Sequence, residues 1–148
     1  MTVHAGLLQL RTTADIECLC IAASCIGTAE AILNDGIGFA EGRIQLGKPI
    51  IQFQAISHDL ADMATNIEAM RWMTYHAAWF SSEKRECCKE ISMAKLFCSE
   101  ILNMILKKGM QIFGGRGYSM EYPSWTMYRN FPSTMITSIR ILNIAIID

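Results

Sequence analysis

The chain is 148 residues long, 51% hydrophobic and 18% charged, with a formal net charge of −1. That length suits one domain able to bury a core, and the composition excludes a disordered chain. Acids and bases are interspersed, so there is neither a basic footprint for nucleic acid nor a polybasic arm for anionic lipid; a small-molecule or protein partner fits better.

The first element is a helix starting near Thr13 or Asp15, because Leu19, Ile26, Leu33 and Ala40 recur at heptad spacing. Its longest uncharged apolar stretch, Cys18 to Ala29, is too short to cross a bilayer, so no membrane insertion is expected. Asp15 and Glu17 stand where a signal peptide would be basic, which argues against a secretion signal. Asn34-Asp35-Gly36-Ile37-Gly38 reads locally as a turn, with each glycine costing a helix about 1 kcal/mol, yet the spacing keeps its phase across it. The helix is therefore expected to continue until Gly47-Lys48-Pro49.

A second long helix follows, with Ile56, Leu60, Met63, Ile67 and Met70 on one stripe suited to bundle packing. A third runs from about Glu86 through Ile91, Ala94, Phe97, Ile101 and Ile105 to Ile112, where glycines stop it. Beyond Pro123 the pattern gives a short helix near Ser124 to Asn130 and a final apolar helix toward Ile147. Strand signals are nearly absent, and the fold class is all-α, a four-helix up-and-down bundle occupying residues 1–148 as one domain. Six cysteines lie mostly inside apolar helical patterns and are expected to be reduced, buried thiols; the three histidines show no metal spacing, so no metal site is expected.

The chemistry gathers near the carboxyl end, in Gln111-Ile112-Phe113-Gly114-Gly115-Arg116-Gly117-Tyr118, followed by Glu121-Tyr122-Pro123 and Arg129. Bare glycine backbone lets a ligand approach and its N–H groups favour phosphate oxygens. On local chemistry alone the same glycines also read as a helix C-cap and turn, and no βαβ pattern supports a Rossmann fingerprint.

This run resembles the C-terminal signature of the flavin-dependent acyl-CoA dehydrogenases, and other segments agree in order. Arg43-Ile44-Gln45-Leu46-Gly47-Lys48-Pro49-Ile50 is similar to the family's Arg-x-x-Phe-Gly-x-Pro-Ile, with Leu46 replacing the aromatic. Gln52 to Ser57, Leu60 to Met63, Ala77-Ala78-Trp79 and Ser92 to Phe97 continue the resemblance, which runs from about Asp15 to Arg129.

The resemblance implies a C-terminal helical bundle that normally follows a helical domain and a β domain, for which this sequence has no counterpart. It implies FAD as cofactor, an acyl-CoA substrate oxidised to its 2,3-enoyl-CoA, assembly as a dimer or tetramer, and electron-transfer flavoprotein as a possible acceptor. The compartment would be the mitochondrial matrix in a eukaryote or the cytoplasm in a bacterium. Carried over by position, Arg43 would face the FAD pyrophosphate and Gln54 would hydrogen-bond the cofactor. Gln111, Ile112, Phe113, Gly114 and Gly115 would lie against the ADP half, that of a neighbouring subunit. Arg43 would otherwise be an ordinary cation at a helix end.

Most relatives carry the catalytic base in a C-terminal Tyr-Glu-Gly-Thr run, but here the tail reads Ile136-Thr137-Ser138-Ile139-Arg140. A subgroup including the isovaleryl and long-chain enzymes places the base on the first helix of this domain, and the Glu17-to-Arg43 spacing reproduces that arrangement, although Cys18 replaces the subgroup's arginine. Glu17 is therefore the candidate base, with Asp15 near the CoA side of the substrate. The ordinary alternative for both acids is a first helical turn, where they favour the dipole. Two functions remain open: part of an acyl-CoA dehydrogenase completed by its other domains, or a noncatalytic helical oligomerisation and interaction module.

Overall fold

Apolar residues returning at three- and four-residue steps, with breakers only between runs, give three long helices in the computed structural model. It describes residues 3–83, 85–119 and 128–129, with side chains from Thr13 onward. Helix α1 spans Val3–Gly42, α2 Gln54–Ser82 and α3 Cys88–Phe113, and each packs on the other two. Short connections make neighbours antiparallel, so α1 and α3 run the same way and both end beside the start of α2. The expected short helix at 124–130 and the final helix toward Ile147 fall outside the described residues, except that Tyr128 and Arg129 are helical.

Two helix boundaries differ from expectation. α1 begins at Val3, which puts Asp15 and Glu17 several turns inside it; a dipole role in a first turn is thereby removed for both. At its other end α1 stops at Gly42, and a small hairpin follows, β1 (Ile44–Gln45) pairing antiparallel with β2 (Lys48–Pro49). Gln45 faces Lys48 across a two-residue loop in which Leu46 and Gly47 have φ of 51° and 79°. Two consecutive positive φ values make the tight turn whose twist matches a hairpin. A leucine there gives little local sign of it, which is why this stretch reads as helix. The helix does continue unbroken through Asn34 to Gly38.

The seam of α1 is broader than the expected stripe. Its buried residues are Cys18, Ala22, Cys25, Ile26, Ala29, Ile32, Gly36 and Ala40, so Ile26 and Ala40 are buried as expected, whereas Leu19 and Leu33 are half-buried beside them. Small residues let the helices approach closely: a Cβ on Gly109 of α3 would stand 2.5 Å from Ile32 Cγ2. By length and a mean hydropathy of 1.7, Thr13–Gly42 is long and apolar enough to cross a membrane, and 33% of its most apolar window is buried in the bundle.

α2 contributes Leu60, Met63, Ile67 and Met70 to the same core as expected, while Ile56 is only partly covered. α3 contributes Cys98, Leu102, Ile105 and Ile112. A smaller cluster of Cys18, Ala77, Ile91 and Ala94 closes the end near the α2–α3 turn. Polar ties join the helices at their margins: Arg71 of α2 pairs with Glu30 of α1, and Lys108 of α3 lies 2.8 Å from Asp59 and 2.9 Å from Asp62 of α2.

All six cysteines are free, and Cys18, Cys25 and Cys98 are buried. Burial pushes the Cys25 thiol up to about 12. Lys95 is buried near Cys18 and Cys25, and desolvation lowers its amine from the usual range.

Candidate functional site

The α1 and α3 carboxyl ends meet at one pole of the bundle, held together by the Phe39 and Phe113 rings at 5.0 Å between centroids. Arg43 leaves α1 there. Its N–H donates to Phe39 O at 2.9 Å and its carbonyl accepts from Ile50 N at 2.9 Å, so helix and hairpin fix its backbone while the side chain is exposed. Lys48 stands over the Phe53 ring at 4.3 Å and closes the hairpin onto the start of α2.

α3 ends at Gly114, whose φ of 59° and ψ of −139° suit only glycine, and whose N–H donates to Gln111 O. Gly114–Tyr118 then form a 3-10 turn. A Cβ on Gly117 would come within 2.8 Å of Met110 O, so this glycine lets the turn fold back on α3. Among the described residues nothing lies within 4 Å of a Cβ built on Gly114 or Gly115, and both are exposed. The C-cap reading and the ligand reading of the run are thus compatible: Gly114 ends the helix and the same turn presents open backbone.

Two clefts flank this turn. One, of about 390 Å³, is lined by Gly38, Phe39, Gly42, Arg43, Ile44 and Arg116. The other, of about 570 Å³, has Lys107, Gln111, Gly114, Gly115 and Tyr118 in its wall. Among the described residues no aspartate or glutamate lines either cleft, and both carry cationic side chains, which favours anions.

The sequence-derived residues divide accordingly. Arg43, Gln111, Gly114 and Gly115 come to this one pole, whereas Ile112 and Phe113 are 4% and 5% exposed, belong to the core and line neither cleft. Gln54 is exposed at the start of α2 and lines neither cleft. Glu17 is exposed on the outward face of α1, and Asp15 is half-buried. At the helical rise, Glu17 stands about 39 Å from Arg43 along α1. The candidate base and the candidate phosphate contact of one chain do not come together. Arg116 is the residue that sequence reasoning passed over; its only signal was its place inside the glycine run. Among the described residues, no group of three or more His, Cys, Asp and Glu gathers for a metal.

Residues 4–138 match the family model described as the acyl-CoA dehydrogenase C-terminal domain. The chain belongs to the acyl-CoA dehydrogenase family. It is 43% identical over 128 residues to the CarC subunit of the caffeyl-CoA reductase–Etf complex of Acetobacterium woodii, covering 86% of this chain and 34% of that relative. It is 40% identical to the mitochondrial short-chain specific acyl-CoA dehydrogenase of Bos taurus, over 84% of this chain and 30% of the relative. The butyryl-CoA dehydrogenase structure from Megasphaera elsdenii superposes with a TM-score of 0.86 at 34% identity, over 93% of this chain and 38% of that one. The chain thus spans about a third of the length of the curated relatives it matches. Its helices are those of the C-terminal domain of an acyl-CoA dehydrogenase, and structural neighbours of that domain include an FAD-dependent dehydrogenase and the FAD complex of PigA.

Proposed function

We propose that this chain forms the C-terminal part of an FAD-dependent acyl-CoA dehydrogenase that removes hydrogens from the α and β carbons of an acyl-CoA. The observation carrying this reading is the α1/α3 pole. Arg43 and open glycine backbone there line cationic clefts suited to the cofactor's phosphates, in a chain of this family. Hydride acceptance is the chemistry FAD supplies when bound. Arg43 binds and orients the pyrophosphate, Gln111, Gly114 and Gly115 border the ADP half, and Gln54 offers its amide at the start of α2.

At the far end, Glu17 takes the α-proton of the thioester onto its carboxylate, and Asp15 stands toward the CoA side. A base of this kind works best when covered by its substrate and neighbouring domain. The outer face of α1 suits such cover, because Ile16, Cys20, Ala23 and Gly27 leave it apolar and closely approachable beside Glu17. The flavin ring and the diphosphate of one cofactor are joined only by a short ribityl chain. A separation of about 39 Å therefore has Glu17 and Arg43 of one chain serving two different cofactors. That arrangement calls for a homo-oligomer, each pole completing a neighbour's site together with the helical and β domains that accompany this one in relatives.

Reduced flavin would pass its electrons to an electron-transfer flavoprotein, in the mitochondrial matrix or the bacterial cytoplasm according to source. A noncatalytic interaction module is the second reading, favoured by the aromatic face of α2, where Trp72, Tyr75 and Trp79 are more than half exposed.

Flavin retention and acyl-CoA-dependent dye reduction separate the two, measured on the chain alone and co-expressed with the two preceding domains of a relative. Turnover restored by co-expression and abolished by Glu17→Gln is the expected result. Cofactor-loaded, assembled protein that never reduces dye would favour the interaction module, and full turnover by Glu17→Gln would remove Glu17 as the base.

A further inference from the structure

We propose that Arg116 is a second phosphate-binding residue of the Arg43 cleft, so that the site selects a nucleoside diphosphate over a monophosphate. This deepens the FAD reading above and rests on it. Arg43 leaves the end of α1 and Arg116 sits in the 3-10 turn after α3, yet both line one cleft of about 390 Å³. Among the described residues neither guanidinium has a carboxylate partner, and no acid lines the cleft. Two like charges facing one small space repel unless an anion lies between them. Forked guanidiniums from two directions match a group with two phosphates, since each engages one phosphoryl unit through paired N–H donors.

The glycines that line the cleft support the same conclusion. Gly38 and Gly42 are one helical turn apart, and both lower the helix propensity of α1. Among the described residues a Cβ on either would meet no atom within 4 Å. Glycines that line the same cleft as the two arginines leave backbone open to close approach by a bound group.

Isothermal titration of the full chain with ADP, AMP and inorganic pyrophosphate tests the assignment, with far-UV circular dichroism melting to verify each variant's fold. The intact chain is expected to bind ADP and pyrophosphate in preference to AMP. Arg116→Ala should weaken both diphosphates about tenfold or more and reduce the preference over AMP, with Arg116→Lys between the two. Arg43→Ala should weaken all three ligands. If Arg43→Ala weakens ADP but Arg116→Ala leaves ADP and pyrophosphate unchanged, the Arg116 role is refuted while the cofactor site stands. Absence of ADP and pyrophosphate binding by the intact chain at millimolar concentration, or indifference to both substitutions, would overturn the role and the cofactor reading of this pole together.

Discussion

Gly109 meets Ile32 where α3 crosses α1, and the contact leaves no room for a methyl group. Gly109→Ala is expected to cost about 1–3 kcal/mol by overpacking, seen as a lower urea midpoint with an unchanged slope. Cys25, deeper in the same seam, makes an alkaline prediction. Its folded value of about 12 lies above the 9.0 of an ordinary thiol, so the unfolded chain gives up its proton first. Stability from this group is intact below about pH 9 and falls as pH rises toward 12, by at most about 1.4 kcal/mol per pH unit. Lys95 acts in the opposite direction, because its lowered value makes stability rise with pH up to its ordinary 10.5. Cys25→Ala should therefore flatten the alkaline limb of a pH series of urea melts; an unchanged limb would show that burial of this thiol does not govern it. At this scale the sequence exposes Arg43 and the glycine run through their motif. It hides Arg116, whose meaning depends on meeting Arg43 across two elements.

Among the elements, α1 carries the largest differences from its sequence pattern. The recurring positions Ile26 and Ala40 are buried as expected and Leu19 and Leu33 only half-buried, while close helix approach adds Cys25, Ala29 and Gly36, which carry little hydropathic signal. The hairpin after Gly42 was illegible for a related reason: its turn needs a positive φ at Leu46, a conformation that side chain does not announce. α2 and α3 were legible because their cores use Leu, Ile and Met at regular spacing. Two substitutions test the element energetics. Gly38→Ala should stabilise α1 by about 0.5–1 kcal/mol in thermal or urea melts, because a helix-favouring methyl enters open space. Lys108→Met should cost no more than about 1 kcal/mol, since Asp59 and Asp62 are partly exposed, and that cost should shrink in 1 M salt. A cost surviving high salt would mean that the lysine stem, rather than its charge, ties α3 to α2.

Across the whole molecule, the candidate residues fall at two poles. One end carries Arg43, Arg116 and the glycine turn; the other carries Asp15 and Glu17, and a bundle about 39 Å long keeps them apart. The continuous helix expected from the sequence already sets candidate Glu17 far from candidate Arg43, whereas the meeting of Arg43 and Arg116 in one cleft appears only in the fold, because it depends on two elements packing at one pole. The exposed Trp72, Tyr75 and Trp79 on α2 add a surface for association. The central claim is that the Arg43 pole receives the ADP half of FAD, and flavin-fluorescence titration of the full chain with FAD, FMN and riboflavin tests it most directly. FAD should bind well above FMN and riboflavin, be displaced by ADP, and lose about tenfold or more in affinity in Arg43→Ala. Equal binding of FAD and riboflavin, unaffected by ADP and by Arg43→Ala, would contradict the account.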